Sequence, residues 1–210
     1  MKRRHRATAR RRPVRLLAAS LLVGGLITAG CGSSDGENSA ASSSSSSTRA
    51  STTSTTEPCA FSGGTEAQIS PPGATTRLLT GVDIDAPGCV ETVAFTFQPA
   101  TLETPPGFDI AYASTPFQDS GSGREVTVSG DAFLVVRIRP AALADLDQPG
   151  APATYTGPRV ITPSDTTAVT EVAFFDGFEG QLAWVIGLDQ ERPFLVDAAT
   201  DVLTITVGPA

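Results

Sequence analysis

Large apolar residues recur at every second position in short runs, and proline and glycine separate the runs. Val93, Phe95 and Phe97 alternate with Ala94, Thr96 and Gln98, and Phe108, Ile110 and Tyr112 alternate with Asp109, Ala111 and Ala113. A period of two places one set of side chains on one face of an extended segment, so each run predicts a strand with a buried side. Phe133–Ile138 is apolar on both faces and predicts a central strand, and 202–207 predicts a final one. Val169–Phe175 leads through Asp176-Gly177-Phe178-Glu179-Gly180 into Leu182–Leu188, the pattern of a hairpin with a glycine-containing loop. Pro71-Pro72-Gly73 and Pro105-Pro106-Gly107 mark turns. No stretch sustains helical spacing, although Ala141–Leu146 is compatible with a helical turn or two. The expectation is an all-β fold, an antiparallel β-sandwich or barrel. Glu91–Phe97 also resembles Thr170–Phe175, which is either a duplicated unit or the common chemistry of two strands.

This pattern starts only after residue 58. Residues 1–30 open with Lys2 and seven arginines up to Arg15, followed by a short apolar run from Leu16 to Ala29. That run falls short of the roughly 20 residues a membrane span needs, so it reads as an export signal. It ends in Leu26-Ile27-Thr28-Ala29-Gly30-Cys31, which resembles the lipobox of bacterial lipoproteins. Cleavage there predicts Cys31 as the acceptor of diacylglycerol, tethering the chain to the extracytoplasmic face of the cell membrane. Two acyl chains hold firmly, because each buried methylene contributes about 0.8 kcal/mol. The arginine pairs are compatible with either general or twin-arginine export. Residues 31–58 are rich in Ser, Thr, Gly and Ala, with an unbroken serine run from Ser42 to Ser47. They predict a disordered tether about 30 Å in root-mean-square span. Residues 59–210 remain as one domain.

Removal of the signal takes away every lysine and the only histidine, His5. Seven arginines then face 22 acidic residues, a formal charge of about −15. Such a surface disfavours nucleic acid and anionic lipid as partners. The missing imidazole and amine exclude Ser-His-Asp, Cys-His and Ser-Lys catalysis. No Gly-x-Ser-x-Gly elbow or Gly-Lys phosphate loop occurs. No cofactor is implied. Cys59 and Cys89 predict a disulfide, as a cysteine pair outside the cytoplasm usually does. A redox or metal thiol pair would need CxxC spacing, a histidine or a third cysteine, none of which the domain has.

Candidate chemistry is sparse. Asp83 with Asp85, or Asp145 with Asp147, read first as a solvated acidic surface, with calcium binding or carboxylate-based glycoside hydrolysis as the functional alternatives. The glycine-rich loop Gln118–Arg124 is either a ligand cradle or a hairpin connection. Trp184, in an alternating strand, is a core residue or a sugar-stacking platform. Tyr155, in a loop, is the other candidate ligand contact, with Phe117 and Phe178 in turns beside them.

Gly121–Arg137 (GSGREVTVSGDAFLVVR), Val169–Val172 with Phe178-Glu179-Gly180, and Gly187–Phe194 (GLDQERPF) resemble signature segments of the AMIN-like domain, found in lipoproteins of high-GC Gram-positive bacteria. Cys89–Phe95 resembles that family's first core strand, with Val90, Glu91 and Thr92 in place of its aromatic-Asp-Arg run. The resemblance spans most of residues 75–207. It implies a β-sandwich in the cell envelope with no defined catalytic residue, related to amidase N-terminal domains that place enzymes on peptidoglycan. The expected function is therefore a non-catalytic module binding peptidoglycan, another wall glycan or an envelope protein. A carboxylate-based wall glycan hydrolase and a protein-interaction module are the alternatives.

Overall fold

A computed structural model of the protein describes residues 59–99 and 104–210. The expected signal, Cys31 and the tether lie outside the described residues.

The domain is all-β. Six strands form one sheet in the order β1 (Gln68–Ser70), β4 (Gly107–Tyr112), β7 (Ala132–Arg139), β11 (Leu182–Leu188), β10 (Val169–Asp176) and β9 (Val160–Ile161), every neighbour antiparallel. Five form a second sheet in the order β12 (Phe194–Ala198), β13 (Val202–Val207), β3 (Glu91–Phe97), β2 (Arg77–Asp85) and β8 (Ala141–Ala142). The short β2–β8 contact is the one parallel pairing of this otherwise antiparallel sheet. Two residues each of β5 (Phe117–Gln118) and β6 (Glu125–Val126) make a small separate ribbon.

The alternation read in the sequence is the packing code. Val93, Phe95 and Phe97 from β3, with Leu203 and Ile205 from β13, share one core with Leu134, Val136 and Ile138 from β7 and Trp184 and Ile186 from β11. The Phe95 and Trp184 rings meet edge to face at 5.8 Å, which fixes the two sheets face to face as a sandwich. The six-stranded sheet is also covered on its outer side. There Val135, Ala173, Phe175 and Val185 pack under Phe117 and Val128 of the ribbon segment. All seven residues of β11 are consequently buried.

Gly187 makes that second layer possible. A Cβ there would lie 1.9 Å from the Ser129 carbonyl oxygen, so only glycine lets the outer segment approach so closely.

Ala141–Leu146 carries no helix. Ala141 and Ala142 form strand β8, because the Ala141 N–H donates to Gly180 O at 2.7 Å and the Arg77 N–H donates to Pro140 O at 2.9 Å. These tertiary bonds outweigh alanine's helical preference. The two similar segments, β3 and β10, are not equivalent in the fold. β10 turns back as a hairpin with β11, whereas β4, which follows β3 in sequence, lies in the other sheet.

The start of the domain closes one side of the sandwich. Cys59 and Cys89 form a disulfide. Gly64 pairs with Phe194, and the Gln68 side chain donates to Phe194 O (3.0 Å) and accepts from Val196 N–H (3.1 Å). The Gln68 amide thus satisfies the free edge of β12 while its backbone pairs with β4 in the other sheet.

Candidate functional site

Neither Trp184 nor Tyr155 offers an open ring. Trp184 has no exposed surface and is boxed in by Phe95, Phe174 and Tyr155, with centroids 5.8, 5.3 and 5.7 Å away. Tyr155 is 8 % exposed, and its hydroxyl donates to Pro158 O at 2.6 Å. Burial pushes the Tyr155 phenol above its usual range. Both belong to the core between the sheets: the inward face of β11 carries Trp184, and the loop bearing Tyr155 folds its ring onto it. Phe117 is likewise buried, as part of the outer layer.

The aspartate pairs are separate and local. Asp83 and Asp85 are exposed and line a groove of about 510 Å³ with Asp165. Asp145 is occupied within its own turn, accepting from the Asp147 N–H and the Gln148 side chain. Among the described residues, no three His, Cys, Asp or Glu side chains are grouped to hold a metal ion. The Gln118–Arg124 loop is the connection of the β5–β6 hairpin. The Ser122 hydroxyl and N–H, both 2.7 Å from the Asp119 carboxylate, hold that carboxyl below its usual range.

The two ends of the sandwich differ in how their polar groups are used. At the end carrying Cys89 and the end of β13, a depression of about 340 Å³ includes Glu91, Asp165 and Arg192. Its main charged groups are engaged within the fold. The Glu91 carboxylate accepts from the N–H groups of Thr167 (2.6 Å), Ala168 (2.9 Å) and Val169 (2.7 Å). Arg192 grips Asp189 through two bonds of 2.7 Å, which hold the Asp189 carboxyl below its usual range. This end is fastened rather than open.

The opposite end is built from three loops: β5–β6, the stretch after β7, and β10–β11. In the β10–β11 loop, Gly177 lies so close to Phe174 that a Cβ there would stand 2.7 Å from the ring, and Glu179 and Gly180 take left-handed φ values of 53° and 73°. The Gln181 N–H donates to Phe178 O at 3.1 Å, and Ala141 N–H holds Gly180 O. The loop is thereby fixed with Phe178 raised out of it, 50 % exposed, while the other nine phenylalanines are at least partly buried.

Two depressions flank this loop and share Glu179. One, of about 290 Å³, is bordered by Ser120, Arg139, Asp176, Phe178 and Gln181. The other, of about 480 Å³, is more apolar, with Leu143, Phe174 and Leu182 under the exposed Leu146. The Arg159 guanidinium lies over the Phe174 ring at 4.4 Å. Asp176 is only 6 % exposed and accepts from the Ser120 hydroxyl at 2.6 Å. Arg124, Arg139 and Arg159 form no ion pair among the described residues, whereas Arg77 and Arg192 pair with Asp201 and Asp189. Arg139, Arg159, Glu179 and Phe178 are exposed here beside the nearly buried Asp176, an arrangement suited to binding a polar ligand with an apolar face.

Phe178 was visible in the sequence as a turn aromatic. Arg139, Arg159, Asp176 and Leu146 carry no local signal, because only the loop arrangement brings them together.

Residues 77–207 match the AMIN-like domain family. No curated protein and no solved structure matches the chain.

Proposed function

The chain belongs to the AMIN-like domain family, and from that premise we propose that it is an envelope-associated module that binds a cell-wall component, peptidoglycan or another wall glycan, without catalysis. The family match over the sandwich carries this reading. Cys31, as a lipidated residue, holds the protein on the outer face of the cell membrane, and the residues up to Pro58 give the sandwich reach toward the wall. The two ends of the sandwich are also distinct in this reading. The disulfide that receives the tether lies at one end, and the loops bearing Phe178 and the unpaired arginines lie at the other. Strands of six to eight residues separate them by about 20 Å. Those loops therefore lie away from the point where the chain enters the domain at Cys59.

The test is a pull-down of the exported chain, residues 31–210 with Cys31→Ser, on purified peptidoglycan sacculi and on sacculi stripped of attached polysaccharide. Retention on both supports peptidoglycan as the ligand, and retention only before stripping points to the attached glycan. Absence from both pellets at low and moderate salt would refute the binding role.

A further inference from the structure

The smaller depression beside the β10–β11 loop has a composition that narrows its ligand, resting on the binding role proposed above. We propose that the site bordered by Ser120, Arg139, Asp176, Phe178, Glu179 and Gln181 is a saccharide subsite that takes a single pyranose ring, Phe178 lying against its C–H face and Asp176 accepting from its hydroxyls.

Four observations carry this. First, Phe178 is the one phenylalanine left half exposed, and its loop is held by the Gln181 N–H to Phe178 O and Ala141 N–H to Gly180 O bonds. An aromatic side chain has only two rotatable bonds, so it loses little freedom on binding. Its negative π-cloud suits the slightly positive C–H face of a sugar. Second, Asp176 is a buried carboxylate held in place by the Ser120 N–H (3.3 Å) and hydroxyl (2.6 Å). Those bonds use about two of its four acceptor positions and leave the rest for a ligand. Third, Arg139 supplies donors, and Gln181 supplies both donors and an acceptor, with no side-chain hydrogen bond or ion pair of their own among the described residues. Hydroxyl groups both donate and accept, so they match this mixed set. A simple anion does not, because Asp176 and Glu179 flank the single arginine. Fourth, the volume of about 290 Å³ lies at the low end of small-molecule sites, which suits one ring rather than a chain. A short apolar peptide would instead favour the neighbouring groove under Leu146.

The experiment is a titration of isotope-labelled chain, residues 31–210 with Cys31→Ser, followed by backbone amide shifts. The probes are soluble N-acetylglucosamine oligomers and, separately, tri-alanine. The sugar is expected to shift the amides of Ser120, Gly121, Phe178 and Gln181 in a saturable way. Phe178→Ala, at an exposed position, should weaken that binding about tenfold, the scale of an anchoring side chain, with the remaining spectrum unchanged. Arg139→Ala should weaken it several-fold. Sugar-induced shifts confined to other surfaces would overturn the proposal, as would none at all, or binding indifferent to both variants. So would a response to tri-alanine alone in the groove under Leu146. Sacculus retention that persists undiminished in Phe178→Ala would eliminate this subsite while leaving the wall-binding role standing.

Discussion

Replacing Glu91 by glutamine tests the idea that one end of the sandwich is fastened by a single carboxylate. Glu91 is the first residue of β3 and is 7 % exposed. Its two oxygens accept from three consecutive backbone N–H groups, those of Thr167, Ala168 and Val169, and from the Thr167 hydroxyl at 3.1 Å. Burial raises its pKa, but the hydrogen bonds from Ala168, Val169 and Thr167 outweigh burial and hold the carboxyl below the ordinary 4.5. Glutamine keeps the shape and can accept through one oxygen only. Its NH2 must then face at least one of the backbone donors, leaving that donor unsatisfied at about 1–3 kcal/mol, and the charge assistance on the others is lost as well. The expected destabilisation is about 2–4 kcal/mol, or roughly 5–15 °C in Tm for a domain of this size. Urea unfolding at pH 7 measures it through the midpoint at constant slope. The pH dependence follows from the depressed value. The contribution is complete above 4.5 and disappears as pH falls through the folded-state pKa, so the gap between wild type and Glu91→Gln should narrow in acid. A loss below about 0.5 kcal/mol at pH 7, or a gap that stays constant down to pH 3, would refute the argument.

Three further outcomes are expected. Cys59→Ser with Cys89→Ser opens a loop of separation 30 and should lower stability by about 3–4 kcal/mol, read as a shift in urea midpoint. Trp184→Ala removes the largest fully buried side chain and should cost about 3–5 kcal/mol, with near-UV circular dichroism showing the loss of fixed packing; a change under 1 kcal/mol would contradict its place in the core. Cys31→Ser in the producing cell should move the protein from the membrane fraction to the soluble or secreted one and remove the lipid mass from its N-terminal peptide, as read by mass spectrometry.

Much of the architecture was legible in the residues themselves. β3, β13 and the β10–β11 hairpin follow from alternation and from the Asp176–Gly180 loop, because a period of two acts within a single strand. β7 was legible as a central strand because its apolar residues have no polar partner face. Ala141–Leu146 was not legible: its extended form depends on Gly180 and Arg77, far away in sequence. Trp184 and Tyr155 could not be placed either, since exposure of a ring depends on what other segments cover it. The site is the least legible part. Ser120, Arg139, Asp176 and Phe178 come from three segments whose meeting is set by the turn at Gly177 and by the outer ribbon, and no local pattern encodes that meeting.

The Cys59–Cys89 bond also decides how the domain answers a pull. Tension arriving from the N-terminal side passes through the covalent bridge to Cys89, two residues ahead of β3. It therefore bypasses β1 and the Gly64 bridge, which a peeling force would otherwise open one hydrogen bond at a time. β3 lies between β13 and β2, paired antiparallel to both. A load opposed at the far loops runs lengthwise along these strands and must shear many hydrogen bonds together. For a domain loaded from its N-terminal side, the disulfide acts as a mechanical coupling as well as a thermodynamic one.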